Sequence, residues 1–217
     1  MMMNLFSVFD PATGMMSMNW VSIAFTMILP LSYWNTPSKL TTIIMLMMKK
    51  LTNEVTMHLG SNEPSIFFVS MFMFILMNNV LGLFPYVFTA SAHLVFSLSM
   101  ALTMWISLMM FGWMNKTNKM FYHLVPVGTP YVLMPFMVMI ESISNIIRPG
   151  SLAVRLTANM IAGHLLMTLL GNNLMNNMFM LTILMWLFMG LILFELAVAF
   201  IQSYVFMTLS TLYSSEI

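Results

Sequence analysis

Polar residues are so sparse along this chain that it divides into long apolar stretches and short polar breaks. Runs of about 20 apolar residues, enough for a helix to cross a bilayer, cover positions 15–34, 65–84 and 93–113. Two further runs, 131–170 and 179–212, are much longer. At 1.5 Å per residue a 40-residue helix is about 60 Å long, twice a hydrocarbon layer of about 30 Å. Such helices must tilt steeply or break, and Pro149–Gly150 is the weak point of the first. The pattern predicts an all-α integral membrane protein of about five crossing helices in a single membrane domain over residues 1–217, with the last two helices long and strongly tilted.

The segment 38–58 has a different period. Leu40, Ile44, Met47, Leu51 and Val55 share one helical face, and Thr42, Lys49, Thr52, Asn53 and Thr56 share the other. That amphipathic arrangement predicts a helix lying on the membrane surface, with Glu54 close to its apolar edge. Trp20 and Trp34 are placed to anchor the first span at two interfaces, and Pro30 to kink its last turn. SNEP, at 61–64, reads as a helix start. PVGTP and GNNLMNN, at 126–130 and 171–177, read as loops.

Composition sharpens this reading. Only 6% of the 217 residues are charged, 13 in all with net charge +1, against a usual figure of about 25%. A soluble domain of this size could not cover its surface with so few charges, and no length remains for a separate catalytic domain. Nothing in the charge balance suggests a nucleic-acid partner. The absence of cysteine excludes disulfides and thiolate metal sites. Thirty-one methionines suit irregular packing, and a coding bias accounts for their number. The N-terminus carries Asp10 and no Lys or Arg before the first span, unlike a secretory signal or an Arg-rich transit peptide. With five crossings, Lys39, Lys49, Lys50, Lys116 and Lys119 all fall on one side. The positive-inside tendency then places the N-terminus outside and the C-terminus inside.

The informative residues are the polar ones at membrane depth. Arg155 lies near the middle of the fourth span, where a cation costs about 2.5–3.5 kcal/mol on insertion scales. Offsets of −14, −7 and +4 residues put Glu141, Arg148 and Asn159 within about 40° of it, while His164 points to the opposite side. Glu195 and Gln202, seven apart, share a face of the fifth span. Arginine keeps its proton, so Arg155 is a fixed charge, whereas carboxylates and histidine can relay protons. The bland alternative is that Arg155 pairs with Glu141 or Glu195 to lock two helices. Asn78 and Asn79 also lie at depth, either bonding between helices or lining a channel. Ser97, Ser99, Thr103 and Ser107 read as close-packing residues of the third span. No Gly-rich phosphate loop, HExxH or Cys/His metal spacing is present, and the four histidines do not pair within a span.

SLAVRLTANMIAGHLL, at 151–166, closely resembles the signature of the subunit a family of F-type ATP synthases in its mitochondrial, arthropod-like form. The resemblance extends through NLFSVFDP, GLFPY, HLVPxGTP, LMPFMVxIESISNIIRPG and IQSYVFxxLSTLYSSE, nearly the whole chain. It implies a proton-conducting stator subunit in the mitochondrial inner membrane, with the N-terminus towards the intermembrane space and the C-terminus towards the matrix. Its partners would be the c-ring, the peripheral stalk and other membrane-sector subunits. No cofactor or metal is implied, and nucleotide chemistry would belong to those partners.

By position, the resemblance makes Arg155 the essential arginine facing the c-ring carboxylates. His164 and Glu195 would line the half-channel from the intermembrane space, with Asn159 and Gln202 beside the arginine. Glu141 would lie on the matrix-side exit. Departures fall at Arg148, where relatives carry Gln or Lys, at Val127, where many have Gln, and at Thr103, where many have Pro. The rival readings are a solute transporter, which lacks support from any internal repeat, and a purely structural membrane subunit.

Overall fold

The computed structural model describes residues 5–14, 16–28, 37–60, 63–84, 87–125, 128–174 and 181–216. Six α-helices follow two short 3-10 segments, Leu5–Phe9 and Met18–Ile28. They are α1 (Lys39–Leu59), α2 (Glu63–Gly82), α3 (Leu94–Asn115), α4 (Thr117–His123), α5 (Met134–Leu174) and α6 (Leu181–Glu216). A third 3-10 turn, Ala90–Ala92, precedes α3. Among the described residues there is no strand, as expected where backbone groups must be satisfied without water.

Among the described residues, four helices (α2, α3, α5 and α6) are long and apolar enough to cross a membrane. The expected first crossing is described only at Met18–Ile28, as 3-10 helix. Its Pro30 and Trp34 lie outside the described residues, as do Ser61, Asn62, Val127 and positions 175–177; the first four residues of GNNLMNN, expected in a loop, instead continue a helix. Trp20 packs edge-on against Phe88 with ring centroids 5.4 Å apart, and 5.2 Å from His93. Ahead of the PVGTP stretch, Thr117–His123 forms the short helix α4.

Helix α1 is capped at both ends. Ser38 accepts from the Thr41 amide, and Gly60, in the left-handed region at φ 68°, donates to the Thr56 carbonyl. Only Leu51 and Val55 of its expected apolar face are buried, against α2 and α6. Leu40 and Met47 stay exposed, as a surface helix facing lipid requires. Glu54 accepts from the Tyr204 hydroxyl at 3.2 Å, which ties α1 to α6.

Of the two alternatives, tilt or a break at Pro149–Gly150, the break does not occur, and α5 runs 41 residues through Pro149. Proline removes the bond to the carbonyl four residues back. That carbonyl belongs to Asn145, a residue that lines a cavity. Length therefore has to be accommodated by tilt. Along its length α5 packs on α3 and α6. One core joins all four spans: Ile75 of α2, Ala101 of α3, Leu152, Ala153 and Leu156 of α5, and Phe206 of α6.

Candidate functional site: a two-ended polar seam between α5 and α6

The two long helices meet in antiparallel register, and their polar residues pair across it. Arg148 contacts Glu216, Asn159 Nδ2 donates to Gln202 Oε1 at 2.9 Å, and Gly163 lies against Glu195. On α6 the paired positions Glu195, Gln202 and Glu216 recur at multiples of seven, and 700° is within about 20° of two full turns. On α5 Arg148, Asn159 and Gly163 follow at steps of eleven and four, whole turns to within about 40°. Small polar residues elsewhere on α6 are satisfied within the helix. Ser203, Ser210 and Thr211 donate to carbonyls three residues back.

At the end near the N-terminal segment lie His164 and Glu195, both buried. Phe9 meets the His164 ring edge-on with centroids 6.1 Å apart, so the N-terminal 3-10 segment closes over it. Glu195 reaches α5 at Gly163, where a Cβ would overlap its Oε1. Neither Glu195 oxygen nor His164 Nε2 has a hydrogen-bond partner among the described residues. Buried polar groups in this condition are normally served by water. Asn79, fully buried, also has no partner on either amide atom, while Asn78 Nδ2 donates back to the Phe74 carbonyl at 3.0 Å. Asn78 is thus accounted for within its own helix, and Asn79 is not. The α3 hydroxyls of Ser97, Ser99, Thr103 and Ser107 all bond to carbonyls of their own helix, which agrees with a packing role.

At the other end Glu141, Arg148 and Glu216 gather around a cavity of about 490 Å³. Arg148 pairs with Glu141 at 3.7 Å and with Glu216, and its guanidinium lies 4.9 Å from the centre of the Tyr213 ring. Arg148 therefore takes both carboxylates at this end. Glu216 was not singled out by the sequence, although it follows Gln202 by fourteen residues and so shares its face. Gly163 was missed as well, because only its neighbour's carboxylate shows what a side chain there would meet.

Between the two ends, Leu152, Ala153 and Leu156 form a dry plug with Ile75 and Phe206. Arg155 sits at this level on α5 and is exposed. No carboxylate pairs with it among the described residues, so the helix-locking pair with Glu141 or Glu195 does not form. Asn159, one turn on, is exposed beside it, with its amide held by the buried Gln202. No metal-binding group of His, Asp and Glu occurs among the described residues.

A multi-pass helical membrane protein is defined by this arrangement, with ionisable sites at two ends of one helix pair and a fixed cation between them. A family model described as ATP synthase A chain matches residues 12–215. Relatives named ATP synthase subunit a match the chain end to end, each over 100% of both chains. Identity is 52% for Anopheles gambiae, 53% for Drosophila melanogaster and 51% for Locusta migratoria. The chain belongs to the ATP synthase A chain family, and it is a proton-conducting stator subunit of the synthase membrane sector.

Proposed function

We propose that the chain provides two half-channels that meet a rotating ring of carboxylate-bearing subunits at different places on the outer face of α5. Protons enter past His164 and Glu195, protonate a ring carboxylate, and leave near Glu141 after almost a full rotation. The observation that carries this reading is Arg155, a guanidinium exposed at mid-membrane with no carboxylate of its own chain beside it. Left against lipid it would cost several kcal/mol, so its partner must come from another chain and present an anion. A nearby cation lowers a carboxylate's proton affinity by about 1–3 pKa units, which favours release as each ring site arrives. Asn159 and Gln202 hold the surface beside that meeting point.

The apolar cluster of Leu152, Ala153, Leu156, Ile75 and Phe206 beside Arg155 supports separate half-channels, because these side chains offer a proton no partner. The five-crossing topology, with the N-terminus towards the intermembrane space and the C-terminus towards the matrix, rests on the lysine distribution. We assign the chain to the mitochondrial inner membrane, beside the c-ring and the peripheral stalk, with ATP chemistry carried by other subunits.

Proton flux in vesicles holding the assembled complex tests this, with Arg155 compared against Arg155→Ala. Loss of ATP-coupled pumping, with passive leak kept or increased, is the expected result. Unchanged coupled pumping would make Arg155 a structural residue and sink the mechanism.

A further inference from the structure

The 3-10 segment Leu5–Phe9 is held against the inlet end of α5 by bonds made just beyond it. The Asp10 N–H donates to the Ser7 carbonyl, and Asn19 Nδ2 donates to the Asp10 carbonyl, both at 3.3 Å. Between them the Thr13 hydroxyl donates to the Met16 carbonyl at 2.6 Å and accepts from the Met18 N–H at 3.2 Å. Ser22 then donates to the Phe88 carbonyl at 3.4 Å, which fastens Met18–Ile28 to the stretch before α3. This folded arm carries Phe9 to His164, where the two rings meet at 89° with centroids 6.1 Å apart. Phe9 is half-buried while Phe6 and Asp10 are exposed, so the segment turns one ring inward.

We propose that Phe9 is a positioning residue for proton entry, its ring holding the His164 imidazole in one orientation and covering it from reagents larger than water. The inference rests on the half-channel reading above. Among the described residues no hydrogen bond reaches the buried Nε2 of His164, so the polar surroundings do not fix the ring. The torsion that turns an imidazole is broad and roughly two-fold, and a half turn puts carbon where nitrogen stood. A relaying histidine must keep one nitrogen towards its proton source and the other towards its acceptor. Packing has to supply what hydrogen bonding does not. Edge-on aromatic contact adds attraction beyond the area it buries, and a ring set across the imidazole obstructs that half turn. The carboxylate next in line, Glu195, lies against Gly163, the residue before His164. Phe9 itself neither gives nor takes a proton, so its whole effect on conduction runs through His164.

The test uses assembled synthase in inverted membrane vesicles and compares Phe9→Ala, Phe9→Leu and Phe9→Tyr. Two quantities are read: gradient-driven ATP synthesis, and carbethoxylation of His164 by diethyl pyrocarbonate, resolved by mass spectrometry against the exposed His123. Losing an edge-on aromatic contact should slow synthesis about three- to tenfold in Phe9→Ala, with His164 more reactive than in the wild type. Phe9→Leu keeps bulk without a ring and should also be slow, whereas Phe9→Tyr keeps the ring and should run near the normal rate. A purely structural contact predicts instead that leucine serves as well as tyrosine. Normal synthesis in Phe9→Ala or Phe9→Leu overturns the proposal, and so does slowed synthesis with His164 reactivity unchanged. Should Phe9→Ala fail to assemble, a normal Phe9→Tyr beside a slow Phe9→Leu supports the proposal, and any other pattern overturns it. Glu195→Gln run in parallel separates the two levels. Normal synthesis there removes the inlet reading itself, while slow synthesis there beside a normal Phe9→Ala removes only the role of Phe9.

Discussion

Gly163 makes the sharpest demand on the seam. In Gly163→Ala the new methyl would overlap Glu195 Oε1, and it would stand 2.5 Å from the carboxyl carbon and 3.1 Å from Cγ. Carbon atoms rest at about 3.5–4.0 Å, so the carboxyl carbon must retreat by about 1 Å or more. The atoms in the way are the end of a flexible side chain rather than backbone, so the helices need not separate. Alanine in place of glycine also favours the helix by about 1 kcal/mol, so assembly should hold or improve. Proton transfer is less forgiving, because a misplacement of about 1 Å costs up to about 100-fold in a positioned reaction. The variant should therefore assemble normally on a native gel while ATP-driven acidification of vesicles falls by about ten- to 100-fold. Wild-type acidification with normal assembly would show that the Glu195 position against α5 is irrelevant to conduction.

Glu195→Gln keeps the shape of the side chain and removes its ability to carry a proton. It should slow proton uptake with the complex intact, and normal coupled flux would take Glu195 out of the pathway. Asn79→Leu separates two roles for a buried amide with no protein partner. If Asn79 only packs, replacing an unsatisfied polar group with leucine should leave flux unchanged and stability equal or higher; if it holds water for the inlet, flux falls in an intact complex. Phe206→Ala opens a hole in the plug, where truncating a buried phenylalanine costs about 3–5 kcal/mol, and thermal melting of the detergent-solubilised complex should drop.

Much of this organisation was legible because a bilayer imposes a simple grammar. Apolar length identified the four described spans, and amphipathic period identified α1, since both report directly on burial against lipid. The heptad offset that put Arg148 and Glu141 under Arg155 is a property of one helix and needs no partner. What sequence could not supply was pairing between helices. Arg155 was a candidate partner for Glu141, yet Glu141 is engaged by Arg148, whose second partner Glu216 lies 68 residues away. Antiparallel register between α5 and α6 decides that, and register depends on packing by Leu152, Leu156 and Phe206. Whether α5 breaks at Pro149 or runs on was left open by the sequence, and the continuous helix decides it.

The placement of Arg155 has an energetic consequence that follows from the plug behind it. A transmembrane potential stores about 2.3 kcal/mol per proton for every 100 mV, and a direct leak between the two ends would dissipate all of it. Leu152, Ala153, Leu156, Ile75 and Phe206 block that route inside the bundle with side chains that offer a proton no partner. At the same level an exposed position of α5 carries a fixed cation, Arg155. On the half-channel reading proposed above, sterics seal the interior and charge seals the surface, and neither barrier alone suffices. Removing the charge while leaving the plug should open a surface leak without loss of fold, whereas damage to the plug should lower stability before it lowers selectivity. The two defects are separable by comparing passive proton leak with thermal stability in Arg155→Ala and Phe206→Ala. Equal leak in both, at equal stability, would contradict the division of labour.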